Sequence, residues 1–335
     1  MTTAEMASGV PEVMNQTNTM HCPATQNLVA SILPPILIIE MIVGLPINIV
    51  ALWIFCFHLK TWKPHTLFLF NLVLADFLLL ISVPFRIDNL LRREYWVFGE
   101  AWCRINLFML AVNRSGSIAF MTIVAVDRYF KVVHPYHRIN QLTTMQAGWV
   151  AGLTWIVVMA LRMPLLAIDL LHKNSNISLC RSFNSYDDPP PVIKVHYVVY
   201  IGEFFLPLLL LLFCSVRIFC VLRQRQMGKR KMVRRAIRTV GVIVAVFNIC
   251  FLPGIVTGLG GMYVKNFRPS DCDSFRLITQ LFSLSIGFTY LNSALDPIIY
   301  CFSSSIFRDA LKSSINRLGV TKMKVRRHSS TADEG

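Results

Sequence analysis

Residues 66–91 read TLFLFNLVLADFLLLISVPFRIDNLL. The run is apolar almost throughout, holds one acid, Asp76, near its middle, and meets Arg86 and Asp88 only towards its end. A helix needs roughly 20 mostly apolar residues to cross a hydrocarbon layer about 30 Å thick, and this stretch exceeds that length. Six further runs match it, at about 30–57, 101–126, 147–171, 192–222, 237–264 and 274–302. Their internal prolines (Pro46, Pro84, Pro164, Pro207, Pro253, Pro297) would break a soluble helix. Inside a bundle, neighbouring helices and waters satisfy the freed backbone groups, so they read as kinks. The pattern predicts an all-α membrane protein, a seven-transmembrane helix bundle. No internal repeat is visible, which counts against a transporter built from paired halves.

Composition leads the same way. Of 335 residues, 54% are hydrophobic and 15% charged, against roughly a quarter charged in a typical soluble domain. A mean hydropathy of +0.53 excludes a disordered chain, and the length excludes a disulfide-framework miniprotein. A net charge of +15 would suggest nucleic acid in a soluble protein. Here the positive residues gather in the segment 223–238, with Arg223, Arg225, Lys229, Arg230, Lys231, Arg234, Arg235 and Arg238 and no acid. Lys60 and Lys63 add to them, whereas the opposite loops are nearly balanced. The positive-inside rule therefore puts the amino terminus outside, and the excess charge reads the lipid bilayer, with no nucleic acid. The expected organisation is an extracellular segment 1–29, a membrane domain 30–302, an amphipathic membrane-surface helix 303–317 and a disordered cytoplasmic tail 318–335.

Two sequons face the expected exterior, at Asn15 and Asn176, and read as glycosylation sites. A third match, at Asn113, lies within the third span and is a chance one. Of nine cysteines, Cys22, Cys103, Cys180 and Cys272 fall on the oxidising side. The pairings favoured are Cys103–Cys180 and Cys22–Cys272, the alternative being one bridge and two free thiols.

Ionisable residues in mid-membrane cost several kcal/mol unless paired or hydrated, so each is a functional candidate. Asp76, Ser117, Asn292 and Asp296, with Asn48, form a polar set of oxygen donors suited to a small cation such as sodium. The competing reading is a hydrogen-bonded helix clasp. No other cofactor is expected. In the third span Arg114 and Arg128 are 14 residues apart, about 21 Å of helix at about 1.5 Å per residue. Arg128 sits at the inner end in Asp127-Arg128-Tyr129, whereas Arg114 is too deep to snorkel easily. A buried guanidinium stays charged and suits bidentate binding of a carboxylate or phosphate. Arg114 therefore reads either as the anchor of an anionic ligand or as one half of an internal salt bridge, with Glu203 as its candidate partner. Arg86 and Arg162, in the outer halves of their spans, read as lip or snorkelling residues, and direct ligand contact is the lesser expectation for each. His134, His137 and His196 have no metal-ligand spacing, and no Gly-flanked nucleophile or paired acidic motif appears, so an enzyme is not expected.

Several of these residues belong to ordered motifs: Asn48; Leu72-Val73-Leu74-Ala75-Asp76; Trp96-Val97-Phe98-Gly99; Asp127-Arg128-Tyr129; Trp155; Pro207; Phe247 to Pro253; and Asn292 to Tyr300 through Asp296-Pro297. In that order the chain resembles the rhodopsin-like (class A) G-protein-coupled receptors from about residue 30 to 316. Leu107 to Arg114, Val126 to Pro135, Glu203 to Pro207 and Phe288 to Ser293 are similar to the hydroxycarboxylic acid receptors and their relative, the oxoeicosanoid receptor. The resemblance implies that Arg114 anchors a ligand carboxylate, that Tyr290 assists and that Ser182 lines the site. It also implies a switch made of Asp127, Arg128, Tyr129, Phe251, Pro253, Asp296, Pro297 and Tyr300, an inhibitory G protein and lowered cyclic AMP. One departure stands out. The hydroxycarboxylic acid receptors carry a second arginine five residues after the sixth-span proline, where this chain has Gly258. That loss favours a longer, more apolar acid, so a small carboxylate and an oxidised fatty acid remain alternative ligands; Arg86 or Arg181 could instead supply the missing charge. In the tail, Ser329 follows Arg326-Arg327-His328 and resembles a basic-directed kinase site, where phosphate would add charge for arrestin.

Overall fold

The computed structural model describes residues 27–58, 62–174, 177–180, 191–224, 230–268 and 270–317. Asn15, Cys22, Asn176, Arg181, Ser182 and Ser329, and the segment 318–335, lie outside the described residues.

Helix α1 spans Asn27–Trp53 and continues as one π-helical turn, Ile54–His58. Helix α2 (Pro64–Leu91) opens with proline in its first turn, where the missing N–H costs nothing. Helix α3 (Gly99–Val133) runs seven residues beyond the expected end, so that Asp127-Arg128-Tyr129 are helical. Helix α4 (Thr144–Arg162) starts at a reciprocal cap, in which the Thr143 hydroxyl accepts from Gln146 N and the Gln146 amide oxygen accepts from Thr143 N. The expected fourth span reached 171, but the helix stops at Arg162. Pro164, which lacks an N–H, restarts only a single short turn, α5 (Pro164–Ala167). Strands β1 (Leu171–Asn174) and β2 (Ile177–Cys180) follow as an antiparallel hairpin with Leu171 opposite Cys180. Helices α6 (Pro191–Gln224), α7 (Arg230–Phe267) and α8 (Cys272–Ser303) complete the bundle. A final helix, α9 (Ser305–Arg317), buries Phe307 against the inner end of the bundle.

By length and composition six of these helices are apolar enough to cross a membrane. The seventh, α8, is richer in Ser, Thr, Asn and Asp and turns many of them inward. The outer surface is correspondingly apolar: Ile39 is 62% exposed and Leu206 71%, as expected where lipid rather than water is the solvent. The main core lies towards the inner half, where Phe120, Phe204, Phe247, Phe251 and Tyr300 are buried.

Two side-chain bonds fix how α2 and α3 lie together. Asn106 Nδ2 donates to Ser82 O at 3.1 Å, and Asn113 Nδ2 donates to Ala75 O at 2.9 Å. The helices are thus antiparallel in constant register. At the outer end, Trp96 N donates to Ser178 O at 2.8 Å and Cys103 is bonded to Cys180, so the hairpin is held over the mouth of the bundle. Cys272 is also in a disulfide.

Candidate functional site

A cavity of about 970 Å³, measured out to its open mouth, lies between α2, α3, α4, α6 and α8. Leu107, Leu110, Leu165, Phe282 and Ile286 give it apolar walls, while Arg86, Arg114, Arg162, His196 and Tyr290 supply polar groups at separate points.

At the floor, Arg114 is 5% exposed. Its Nη1 donates to Glu203 Oε2 at 3.3 Å, whereas Nε and Nη2 have no hydrogen-bond partner among the described residues. The guanidinium carbon lies 3.9 Å from the centre of the Tyr200 ring and 5.6 Å from that of Phe251, within cation–π range of both. The internal salt bridge weighed in the sequence is therefore present, yet it occupies one edge of Arg114 only.

Arg162 corrects an expectation. Instead of standing at the lip or snorkelling, it is fully buried. Its Nε donates to Ser115 Oγ at 2.9 Å, its Nη1 meets His196 Nδ1 at 2.9 Å, and its Nη2 closes on Glu203. Ser115 Oγ in turn donates to Glu203 Oε1 at 2.8 Å. Two guanidinium groups thus share one carboxylate, and a net positive charge remains beside the cavity floor.

Arg86 and Tyr290 line the same cavity, 8% and 3% exposed. Neither Arg86 Nε nor the Tyr290 hydroxyl has a hydrogen-bond partner among the described residues. Glu94 also faces the cavity, from a turn where both it and Arg93 hold left-handed backbone, φ 66° and 55°. At Gly258 a Cβ would meet Phe282 Cε2 at 3.4 Å, and the space beside it is a narrow, partly open apolar cleft walled by Tyr197, Ile255, Leu259 and Met262.

Deeper in the bundle, Asp76 accepts from Tyr300 OH at 2.9 Å and from Ser293 Oγ at 3.1 Å. Asn292 Nδ2 donates to Asp296 Oδ2 at 3.0 Å. Ser117 Oγ, Asn292 Oδ1 and Asp296 Oδ1 are buried without partners among the described residues. Asn48 adjoins them: its Nδ2 donates to Gly44 O and Ser293 O and clasps α1 to α8, and its Oδ1 is also buried without a partner among the described residues. At the inner end Asp127 is held at 2.8 Å by Lys131 and at 3.7 Å by Arg128, whose Nη2 donates to Ser303 Oγ at 3.2 Å. Tyr129 OH meets His134 Nε2 at 3.1 Å. Phe251 is packed edge-on against Phe247 in the middle of α7, and Pro253 and Pro297 lie inside α7 and α8.

A buried basic cavity at one end and an arginine at the other, joined by a polar seam, are the parts of a transmembrane signalling bundle. The family model described as 7 transmembrane receptor (rhodopsin family) matches residues 47–300. The chain belongs to that family. Human hydroxycarboxylic acid receptor 2 is 44% identical over 303 residues, covering 90% of this chain and 82% of that protein. Human oxoeicosanoid receptor 1 is 43% identical over 300 residues, 90% of this chain and 76% of that one. The mouse 12-(S)-hydroxy-5,8,10,14-eicosatetraenoic acid receptor is 33% identical over 307 residues, 91% and 94%. The protein is thus a multi-pass plasma-membrane receptor of the hydroxycarboxylic acid and oxoeicosanoid type, with a small-molecule ligand and a G protein as partners, and it is not an enzyme.

Sequence reasoning missed three members of the receptor's floor cluster, His196, Tyr200 and Ser115. A signal for the first was present: His196, Tyr200 and Glu203 recur at i, i+4 and i+7, a polar stripe on one face of an otherwise apolar span.

Proposed function

We propose that this receptor is activated by an organic carboxylate that enters from outside and binds Arg114, and that it couples to an inhibitory G protein and lowers cyclic AMP. The observation that carries the reading is the charge balance at the floor. Arg114 and Arg162 divide one carboxylate between them, and the Nε and Nη2 edge of Arg114 is left without a partner. A ligand carboxylate supplies the missing charge and the geometry a guanidinium fork prefers. The ligand shifts the receptor by its differential affinity for two states. In the inner half, outward movement of α7 about Pro253, with Phe251 as pivot, frees Arg128 from Asp127 and Ser303 for the G protein. Tyr129, Asp296, Pro297 and Tyr300 belong to the same switch.

Of the two acid classes, the longer is favoured by Gly258, which puts no second cation beside Phe282 and Tyr200. Two of the relatives are named for eicosanoids, in keeping with that preference.

The oxygens of Asp76, Ser117, Asn292 and Asp296 fit an allosteric sodium ion: three of them lack partners, and two of the four residues are carboxylates. The amino terminus is assigned to the exterior, with glycans on Asn15 and Asn176 and a Cys22–Cys272 bridge. Ser329 is assigned to phosphorylation ahead of arrestin binding, and Ser182 to the cavity rim.

The test is a cyclic AMP reporter in cells challenged with lactate, 3-hydroxybutyrate, nicotinate and oxidised C20 fatty acids, with Arg114→Ala alongside. The expected result is a response to the oxidised fatty acids that the variant loses. An unchanged response of Arg114→Ala to every active acid overturns the anchor. Replacing external sodium by a bulky organic cation should raise acid affinity in the wild type and leave Asp76→Asn unaffected.

A further inference from the structure

We infer that Tyr200 is the positioning residue through which the charge on Arg114 sets the hinge of α7. Its ring is held by the guanidinium, and its hydroxyl is seated against Gly254, the residue after Pro253. The inference rests on the Arg114 reading and adds to it the path from bound acid to moving helix.

The seat comes first. Pro253 has no N–H, so the helix ladder is already broken at the turn where α7 bends. At Gly254 a Cβ would stand 2.7 Å from the Tyr200 hydroxyl oxygen, closer than real Cβ contacts come. At Gly258 the Cβ position is 3.9 Å from Cε1 of the same ring. Residues four apart share a helix face, so Tyr200 lies along a groove of two glycines. Only its hydroxyl end fills space that excludes a side chain. From α8, Ser285 Oγ approaches the Gly254 position to 3.6 Å. Ser285 Oγ also stands 3.3 Å from Thr257 Oγ1, which donates to Pro253 O at 2.7 Å. The hinge is thus gripped between α6 and α8.

On the α6 side the grip depends on charge. Arg114 is within cation–π range of Tyr200 and of Phe251, which precedes Pro253 by two residues. One cation therefore reaches α7 on both sides of the proline, directly at Phe251 and through Tyr200 at Gly254. A ring attracts a bare cation, and a carboxylate on the open Arg114 edge draws the guanidinium to itself and lessens that attraction. The released ring has somewhere to go, because Tyr200 borders both the ligand cavity and the cleft beside Gly258. Once the hydroxyl leaves Gly254, the outer arm of α7 closes towards α6 and the inner arm swings out. Acid and closed hinge then compete for Arg114, which supplies the differential affinity that a ligand needs to shift two states.

The test reads the hinge in the purified full-length receptor without ligand. Spin labels on Met145→Cys and Arg234→Cys, both exposed at the inner ends of α4 and α7, report how far the helices stand apart. Cys56 and Cys220, which are also exposed, are changed to serine. Tyr200→Phe keeps the ring and removes the atom at Gly254, whereas Gly254→Ala puts a methyl group where that atom sits. Each should raise the open fraction by about fivefold. Together they should return it to the wild-type level, because the methyl group fills the space that the hydroxyl vacates. Single variants that stay closed, or effects that add in the double variant, overturn the seat. A ring that is only a cavity wall would alter acid affinity and leave the ligand-free hinge closed. Arg114→Ala, which frees the ring, should open the hinge as well. Direct binding of nicotinate and an oxidised C20 fatty acid separates the two readings. Arg114→Ala that loses acid with the hinge unmoved strikes this inference alone, and Arg114→Ala that keeps acid with the hinge opened strikes the anchor alone.

Discussion

Arg114 and Arg162, on different helices, reach the same oxygen atom, Oε2 of Glu203. A shared carboxylate cannot neutralise two guanidinium groups, so the cluster stores an appetite for a second anion. It also ties α3, α4 and α6 at one depth, which makes an anionic ligand part of the bundle's own packing.

The most direct consequence concerns Glu203. Glu203→Gln leaves two buried cations without a counter-charge, and removing one partner of a buried pair costs roughly 3–5 kcal/mol. Thermal unfolding of the purified receptor should show a marked loss. A saturating acid ligand should restore more of it than the same ligand adds to the wild type. If the ligand stabilises both proteins equally, the carboxylate does not enter the Glu203 cluster.

Arg162 gives the converse case. It is fully buried and bonded on three sides, and Arg162→Met leaves Arg114 alone with Glu203 as a neutral pair. Acid affinity should then fall by about tenfold or more, although the Arg114 edge is untouched. Unaltered affinity in a direct binding assay would sink the charge-balance argument.

Gly258 tests the apolar side pocket. The space that a side chain would enter is bounded by Phe282 and Tyr200, and Gly258→Leu fills it. Responses to long acids should weaken by about tenfold, while any response to short acids stays as it was. Equal loss for both chain lengths would mean that the substitution had distorted the cavity instead.

Acid acts on the outer end of α8. The Asp271 carboxylate caps this helix by accepting from Ser274 N at 3.1 Å, and hydrogen bonds from Ser274 hold its pKa below the ordinary aspartate value of 3.8. A depressed folded value means that the cap is fully present above 3.8, weakens as the pH drops below it and is lost once the pH passes the lowered value. Amide exchange in the first turn of α8 should accelerate over that window. Asp271→Asn, still a good cap, should abolish the acceleration, and an identical acid response in that variant would rule the carboxylate out.

The bundle was legible in the sequence because lipid imposes one rule, long apolar runs, which six helices obey fully and α8 less strictly. Its exceptions were legible too: Asp76, Arg114, Arg128 and Asp296 stand out as charges where charges are expensive. Partnership was legible only in part: Glu203 stood out as the candidate partner of Arg114, whereas the share that Arg162 takes of the same carboxylate did not. Arg162 lies near a span end and reads as a surface residue, yet it is fully buried and bonded to Ser115, His196 and Glu203. The Arg114–Glu203 pair depends on the relative heights of α3 and α6, and hydropathy carries no information about that offset. The reach of α3 beyond the apolar run was missed because its last turns, with Asp127 and Lys131, are polar yet helical.

Pro253 divides α7 unequally. The helix runs from Arg230 to Phe267, which leaves an inner arm of 23 residues and an outer arm of 14. At about 1.5 Å per residue these are about 35 Å and 21 Å. A tilt at the proline then carries the cytoplasmic tip roughly 1.6 times as far as the ligand side moves. Under the proposed pivoting of α7 as a rigid rod at Pro253, a small contraction of the cavity near Gly258 would become a wider opening at Arg230.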